Sequence, residues 1–125
     1  MINVLGTFYT VSISNSKKNP RLKDFDGFCD TSSKEICVTD FTDMDEDDER
    51  AKCKNIKSVI KRVLLHEIIH AFLFESGLDV NSNMSLGGWA VNEEMVDWIA
   101  CQYFKIWKAY DTAIKELFEE EDESK

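Results

Sequence analysis

The sequence predicts an α+β domain in which a small three-stranded antiparallel sheet packs on two long helices. Residues 56–74 and 89–117 repeat apolar side chains at spacings of three and four, which is the spacing of one helix face. Three short segments before them are rich in β-branched and aromatic residues and are separated by turn residues. A sheet this small needs a helix over one face, so strands and helices belong to one fold.

Length and composition narrow the class of protein. A chain of 125 residues fits one domain with a hydrophobic core, which we assign to residues 1–118, followed by a charged tail at 119–125 that we expect to be disordered. The net charge of −9 comes without a basic cluster, which argues against nucleic acid and anionic membranes as partners. No segment resembles a signal peptide or a membrane span, so we expect a cytoplasmic protein.

Four cysteines are present, and none of them has C-x-x-C spacing. Because C-x-x-C spacing is missing, we interpret the cysteines as small buried thiols in a reducing compartment and not as disulfides or a zinc knuckle.

The first half of the chain carries the strand patterns. Residues 4–13 alternate as a strand, residues 14–26 have loop composition, and residues 27–30 and 34–39 form a hairpin through the turn Thr31-Ser32-Ser33. The acidic run at 41–49 lacks the glycine and the ligand spacing of a calcium loop, so we interpret it as a solvated connector.

The second half carries the two helices. From Leu64 to Phe74 the first helix is apolar nearly all round, which predicts burial, and Gly77 is a natural C-cap. A loop at 78–88 turns the chain back. One face of the second helix then presents, by the same count, Glu93, Val96, Asp97, Ala100, Phe104 and Trp107.

The motif with chemical content is His66-Glu67-Ile68-Ile69-His70, which contains the only two histidines in the chain. On a helix the two imidazoles lie one turn apart on the same face and can bind one metal ion. A catalytic zinc site uses three protein ligands and keeps one position open, so a third ligand must come from elsewhere. A third histidine does not exist, which leaves a carboxylate of the second helix.

Three carboxylates of that helix are candidates. Glu93 and Asp97 are four residues apart and share a face, so one can bind the metal while the other accepts the free N–H of a ligand imidazole. We assign Glu93 as the third ligand and Asp97 as the support, with Glu94, which points about a hundred degrees away, as the alternative. Alternatively, these three carboxylates are only the acidic start of a helix, where negative charge is expected. Asp97 fits this alternative less well, because the helical repeat places it on the inward face, where an unpaired carboxylate is costly.

This ligand set predicts zinc as the metal and hydrolysis of a peptide bond in a protein or peptide substrate. Glu67 would take a proton from the attacking water and pass it to the leaving amine. The sequence does not decide which residue donates a hydrogen bond to the oxyanion of the intermediate. The candidates are Tyr9, Tyr103, Tyr110 and the arginines. The strand at Glu35–Thr39 offers an edge to an extended substrate, unless it is the central strand of the sheet.

The motifs at residues 66–70 and 92–97, H-E-I-I-H and N-E-x-x-x-D, resemble the gluzincin pattern of thermolysin-like metallopeptidases. The resemblance implies His66, His70 and Glu93 as zinc ligands, Glu67 as base and Asp97 as support. The brevity and the order of elements resemble minimal zincin cores of the ImmA/IrrE type, which occur with phages and integrative elements. Residues 4–6, 27–30, 66–77 and 89–98 also resemble small phage-like proteins of Gram-positive bacteria.

Two other hypotheses compete with a metallopeptidase. The metal can stabilise a binding protein on a zincin scaffold that docks a phage or host regulator, with no catalysis. Alternatively, the chain is a metal-free helical core in which the histidine spacing is coincidental. The sequence leaves the oligomeric state and the identity of the substrate open.

Overall fold

In the computed structural model, the residues described are 1–45, 47–79 and 92–119, without the side chains of residues 51 and 119. These residues form an α+β fold with one four-stranded sheet and two long helices. The strands are β1 (Ile2–Val4), β2 (Thr7–Ser14), β3 (Gly27–Asp30) and β4 (Glu35–Thr39). The helices are α1 (Ile56–Glu75) and α2 (Glu93–Ile114), and a short π-helical turn, Lys115–Glu119, follows α2. Most of the predicted loop and nearly all of the predicted tail lie outside the described residues.

The single strand predicted at residues 4–13 is a hairpin, β1 and β2. Leu5 and Gly6 have φ angles of 51° and 94°, so they form the two-residue turn that joins antiparallel strands. Strand β2 then pairs with β4 in parallel, and the sheet order is β1-β2-β4-β3. The prediction of three antiparallel strands is therefore wrong: the sheet has four strands and is mixed.

The hairpin predicted after the first loop is confirmed as β3 and β4, which pair antiparallel with Phe28 opposite Cys37. Because β4 lies between β2 and β3, it is the central strand, and the suggested edge at Glu35–Thr39 is not available to a substrate. Among the strands that the structure describes, β3 is the edge strand on this half of the sheet.

Helix α1 matches its predicted range to within one residue at its C-terminal end. Asn55 caps its start by accepting from the Ser58 amide at 3.1 Å, and Gly77, with φ of 82°, ends it. The Gly77 and Leu78 amides donate to the carbonyls of Phe74 and Leu73, the Schellman arrangement.

Fewer residues of α1 are buried than the sequence predicts. Between Leu64 and Phe74, Glu67 and Ala71 are buried, whereas Phe72 is exposed. The sheet and α2 cover only part of the helix surface, so an apolar sequence all round does not give burial all round.

The core joins α1 to the sheet. Val4, Tyr9, Ile36 and Ala71 are fully buried against one another. At the C-terminal end of α1, Glu75 accepts hydrogen bonds from the Tyr9 hydroxyl at 2.7 Å and from Lys34 Nζ at 2.8 Å. These contacts fix the end of α1 against β2 and the β3–β4 turn.

Gly27, the first residue of β3, permits close approach of this strand to α1. A Cβ atom at this position would lie 2.9 Å from Val63 Cγ1 and 3.1 Å from the Cys37 carbonyl oxygen. No larger residue fits without displacing the helix or the strand. The edge strand therefore runs directly beside the segment of α1 that carries the histidines.

Helix α2 begins at Glu93, where the Asn92 side chain accepts from the Met95 amide at 2.9 Å and caps the helix. The predicted start near Trp89 falls outside the described residues. None of the described helices is long and apolar enough to cross a membrane. All four cysteines are free thiols, but Cys53 and Cys101 are exposed, so the prediction that the cysteines are buried is wrong for these two.

We expect Gly27→Ala to lower the free energy of unfolding by about 1–3 kcal/mol, because the added methyl overpacks the contact between β3 and α1. Chemical denaturation measures this loss. The double variant Gly27→Ala, Val63→Ala should recover part of it, since Val63 Cγ1 is the nearest atom. An unchanged denaturation midpoint in Gly27→Ala would show that the strand and helix are not packed this closely.

Candidate metal centre

Helices α1 and α2 run antiparallel, and this brings the predicted site residues of both together. His66 contacts Asp97 and Glu93, while His70, one turn further along α1, contacts Glu93, which lies one turn earlier on α2. Val96 and the small Ala100 are the buried residues of α2. They lie one turn and two turns after Glu93. Their size allows the carboxylates to reach the imidazoles.

Three side chains converge on one point. His66 Nε2 lies 3.0 Å from Glu93 Oε2, and His70 Nε2 lies 2.9 Å from Glu93 Oε1. The two Nε2 atoms are 3.1 Å apart. Within the described part of the chain, this is the group of histidine, cysteine and acidic residues whose ligand atoms all lie within 4.8 Å of one another.

The donor set fits a zinc ion. Tetrahedral zinc binds imidazole nitrogen and carboxylate oxygen at about 2.0–2.2 Å, which separates the ligand atoms from one another by about 3.4 Å. The separations in this group, 2.9–3.1 Å, are only slightly shorter.

Asp97 determines how His66 presents its second nitrogen. His66 Nδ1 donates to Asp97 Oδ1 at 2.8 Å, because a carboxylate can only accept. In the neutral ring the proton is then on Nδ1, and Nε2 keeps its lone pair towards His70 and Glu93. This is the form of imidazole that binds a metal.

Burial differs between the two helices. The side chains of both histidines are 16% exposed, whereas those of Glu93 and Asp97 are 65% and 68% exposed. The expectation that Asp97 faces inward is therefore wrong for its burial, since this exposed carboxylate reaches His66 from the solvent side. The site has a protein wall formed by α1 and an open side along α2.

Glu67 is the buried acid of the site, with 8% exposure. Burial raises the pKa of its carboxyl group to about 7; the negative charges of Glu93 and Asp97 also raise this pKa, and the charges of His70 and Arg21 oppose the rise. A divalent cation held by the neighbouring imidazoles would lower this pKa, since an opposite charge favours the carboxylate.

A cleft of about 510 Å³ opens over these residues. Its floor is the histidine face of α1 with Glu67, and its opposite wall is β3 with the residues just before it. Phe25, Phe28 and Phe74 supply apolar surface. Burial raises the pKa of the Cys29 thiol, which also lines the cleft, to about 12, so Cys29 is a poor nucleophile at neutral pH.

Arg21 is the cation among the described residues that line this cleft. Its guanidinium donates from Nη1 to Asp30 Oδ2 at 2.9 Å and lies 3.9 Å over the Phe28 ring. The contact with Asp30 uses one of five N–H groups, so others remain for a ligand. The sequence named arginines only as a class, and no local pattern singled out Arg21, which lies in a short 3-10 helix, Pro20–Lys23.

The three tyrosines proposed as oxyanion donors do not line the cleft. Tyr9 is fully buried, and its hydroxyl donates to Glu75. Tyr103 and Tyr110 are exposed on α2, seven and fourteen residues after Val96. Glu94, the alternative ligand, lies on another surface beside Met95 and Trp98 and is not in the convergent group.

The acidic run before α1 has local contacts in the part that is described. Asp43 accepts from Ser16 Oγ at 2.8 Å and from the Lys17 amide at 3.0 Å. Asp48 caps the short 3-10 helix Glu49–Lys52 and pairs with Arg50 at 2.8 Å. These contacts fit a connector held by hydrogen bonds to the domain.

No protein-family model, no curated protein and no solved structure matches this chain.

We expect Glu93→Gln to weaken zinc binding by at least about a hundredfold, because it removes an anionic ligand atom from the group. Glu94→Gln is the matched control, since it makes the same change one position further on, outside the group. Isothermal titration with zinc measures both. Equal zinc affinity in the two variants would rule out Glu93 as a ligand.

Proposed function

We propose that this protein is a zinc-dependent metallopeptidase that hydrolyses a peptide bond in a protein or peptide substrate, and that its fold is a minimal zincin core. The observation that carries the proposal is the convergence of His66 Nε2, His70 Nε2 and the Glu93 carboxylate at the floor of an open cleft. Two imidazoles and one carboxylate are the ligands of a catalytic zinc, which keeps a further position open.

In this proposal His66, His70 and Glu93 hold the ion. When bound, zinc polarises the substrate carbonyl and makes water more acidic. Asp97 keeps the His66 ring in the orientation and tautomer that binding requires, through the hydrogen bond to Nδ1.

Glu67 is the proposed general base. It follows His66 directly in α1 and lines the same cleft, so its carboxylate adjoins the ligand group. It accepts a proton from the attacking water and donates that proton to the nitrogen of the leaving amine. Its burial excludes bulk water as a competing partner and holds the carboxylate in place.

The edge strand supports a peptide as the class of substrate. Among the described residues, β3 pairs only with β4, and Gly27, Phe28 and Cys29 of this edge strand line the cleft. An extended peptide can add to such an edge through backbone hydrogen bonds and cross the cleft above Glu67. Arg21, fixed at the Asp30 end of β3, then offers N–H donors to a carbonyl or carboxylate of the peptide.

The sequence resemblance to minimal zincins of phages and integrative elements agrees with this proposal. The alternative is a binding protein in which zinc only stabilises the pair of helices.

Glu67→Gln separates these two functions. We expect this variant to bind zinc and to lose at least about a hundredfold in cleavage rate, since general acid–base catalysis contributes that much. The measurement is the mapping of new N-termini in a bacterial lysate treated with zinc-loaded protein, with Glu94→Gln as the control that keeps activity. Wild-type protein that binds zinc but creates no new N-termini would contradict the peptidase and favour the binding protein.

A further inference from the structure

The second half of α2 has a large apolar surface that the metal centre does not use. From Tyr103 to Tyr110 every residue is exposed. The pairs His66–Asp97 and His70–Glu93 give the register of the two antiparallel helices. Each residue further along α2 lies level with a residue one position earlier in α1. Trp107 is therefore level with Ile56, where α1 begins, and the later turns of α2 have no α1 beside them.

The apolar residues of this segment form one continuous face. Val96 and Ala100 are buried in the contact with α1, and the same spacing of four and three then continues through exposed residues. This continuation, which we call the α2 face, consists of Tyr103, Phe104, Ile106, Trp107, Tyr110, Ile114, Leu117 and Phe118. Alternating spacings of four and three are the pattern by which one helix packs along another.

The size of the α2 face is that of a dimer interface. Seven of its eight side chains are between 46% and 63% exposed. At about 100 Å² each, half of a large apolar or aromatic side chain, they present about 700 Å², which exceeds a typical patch on a monomer. Two such faces buried against each other remove about 1,400 Å² from water, within the range of stable protein–protein interfaces.

Charge favours a second copy of this chain as the occupant. The chain as a whole carries −9, so two copies repel each other over most of their surfaces. The helix segment that carries the α2 face has three lysines, Lys105, Lys108 and Lys115, against two acids, Asp111 and Glu116. The charges of this segment nearly cancel, so two copies repel each other less here than over the rest of their surfaces.

We propose that the protein is a homodimer in which the α2 faces of two copies pack together across a two-fold axis. The exposed aromatic side chains dominate the interface: Trp107, the largest of them, lies about one turn from the start of the face, and Tyr110 lies midway along it. The metal centre lies at the other end of α2, about four turns from Trp107, so both copies keep an open cleft. This inference is independent of the proposed catalytic activity.

The test is the mass in solution of the full-length chain, measured by light scattering and by sedimentation over a range of protein concentrations. We expect twice the chain mass of 14.4 kDa. Trp107→Lys should raise the dissociation constant of the dimer by at least about thirtyfold, since large aromatic residues at the centre of an interface carry most of its energy.

Trp98→Lys is the matched control. Trp98 is 59% exposed, against 53% for Trp107, and lies nine residues away on the opposite side of the same helix. We expect its dissociation constant to stay within about threefold of wild type, as for surface positions outside an interface. Tyr110→Lys, a second change within the face, should reproduce the effect of Trp107→Lys, with zinc binding retained in all three variants.

A monomer at every concentration overturns the proposal, whether the α2 face is then covered by another protein or by its own chain. A dimer that Trp98→Lys weakens as much as Trp107→Lys also overturns it, because the interface would then not be this face.

Discussion

The contact between the imidazoles of α1 and the carboxylates of α2 is the interaction on which the rest of the structure depends. Val96 and Ala100 are the buried residues of α2, so the apolar contact between the two helices is small. The bonds of Asp97 to His66 and of Glu93 to both histidines select one alignment. A cation at this point would hold the two helices together more strongly than the apolar contact alone, which links metal binding to folding.

The sheet sets the other wall of the same site. Gly27 lets β3 lie against Val63, one turn before His66, and Glu75 fixes the far end of α1 to Tyr9 and Lys34. The helix is therefore held against the sheet on both sides of its histidines, which line the same cleft as β3. A buried carboxylate, two imidazoles and a strand edge meet in one cleft because of this packing.

Much of the site follows from residue spacing, because helix geometry is local. Spacings of four placed His66 with His70 and Glu93 with Asp97, and apolar periodicity located α1 to within one residue. The hairpin β1–β2 was missed because Leu5-Gly6 lies inside a run that alternates like one strand, and only the positive φ angles reveal the turn. The position of β4 and the role of Arg21 depend on pairing between distant segments, which periodicity does not encode. The exposure of Asp97 and of the α2 face could not be predicted either. The helical repeat shows which side chains share a face, but not whether a neighbouring element covers that face.

The most direct test of the central claim is anomalous diffraction at the zinc absorption edge from crystals of the zinc-loaded protein. A peak between His66 Nε2, His70 Nε2 and the Glu93 carboxylate, at bonding distances of about 2.0–2.2 Å, is the predicted result. A crystal grown with zinc in which this point stays empty, or in which the ion lies on cysteine sulfur elsewhere, would contradict the account.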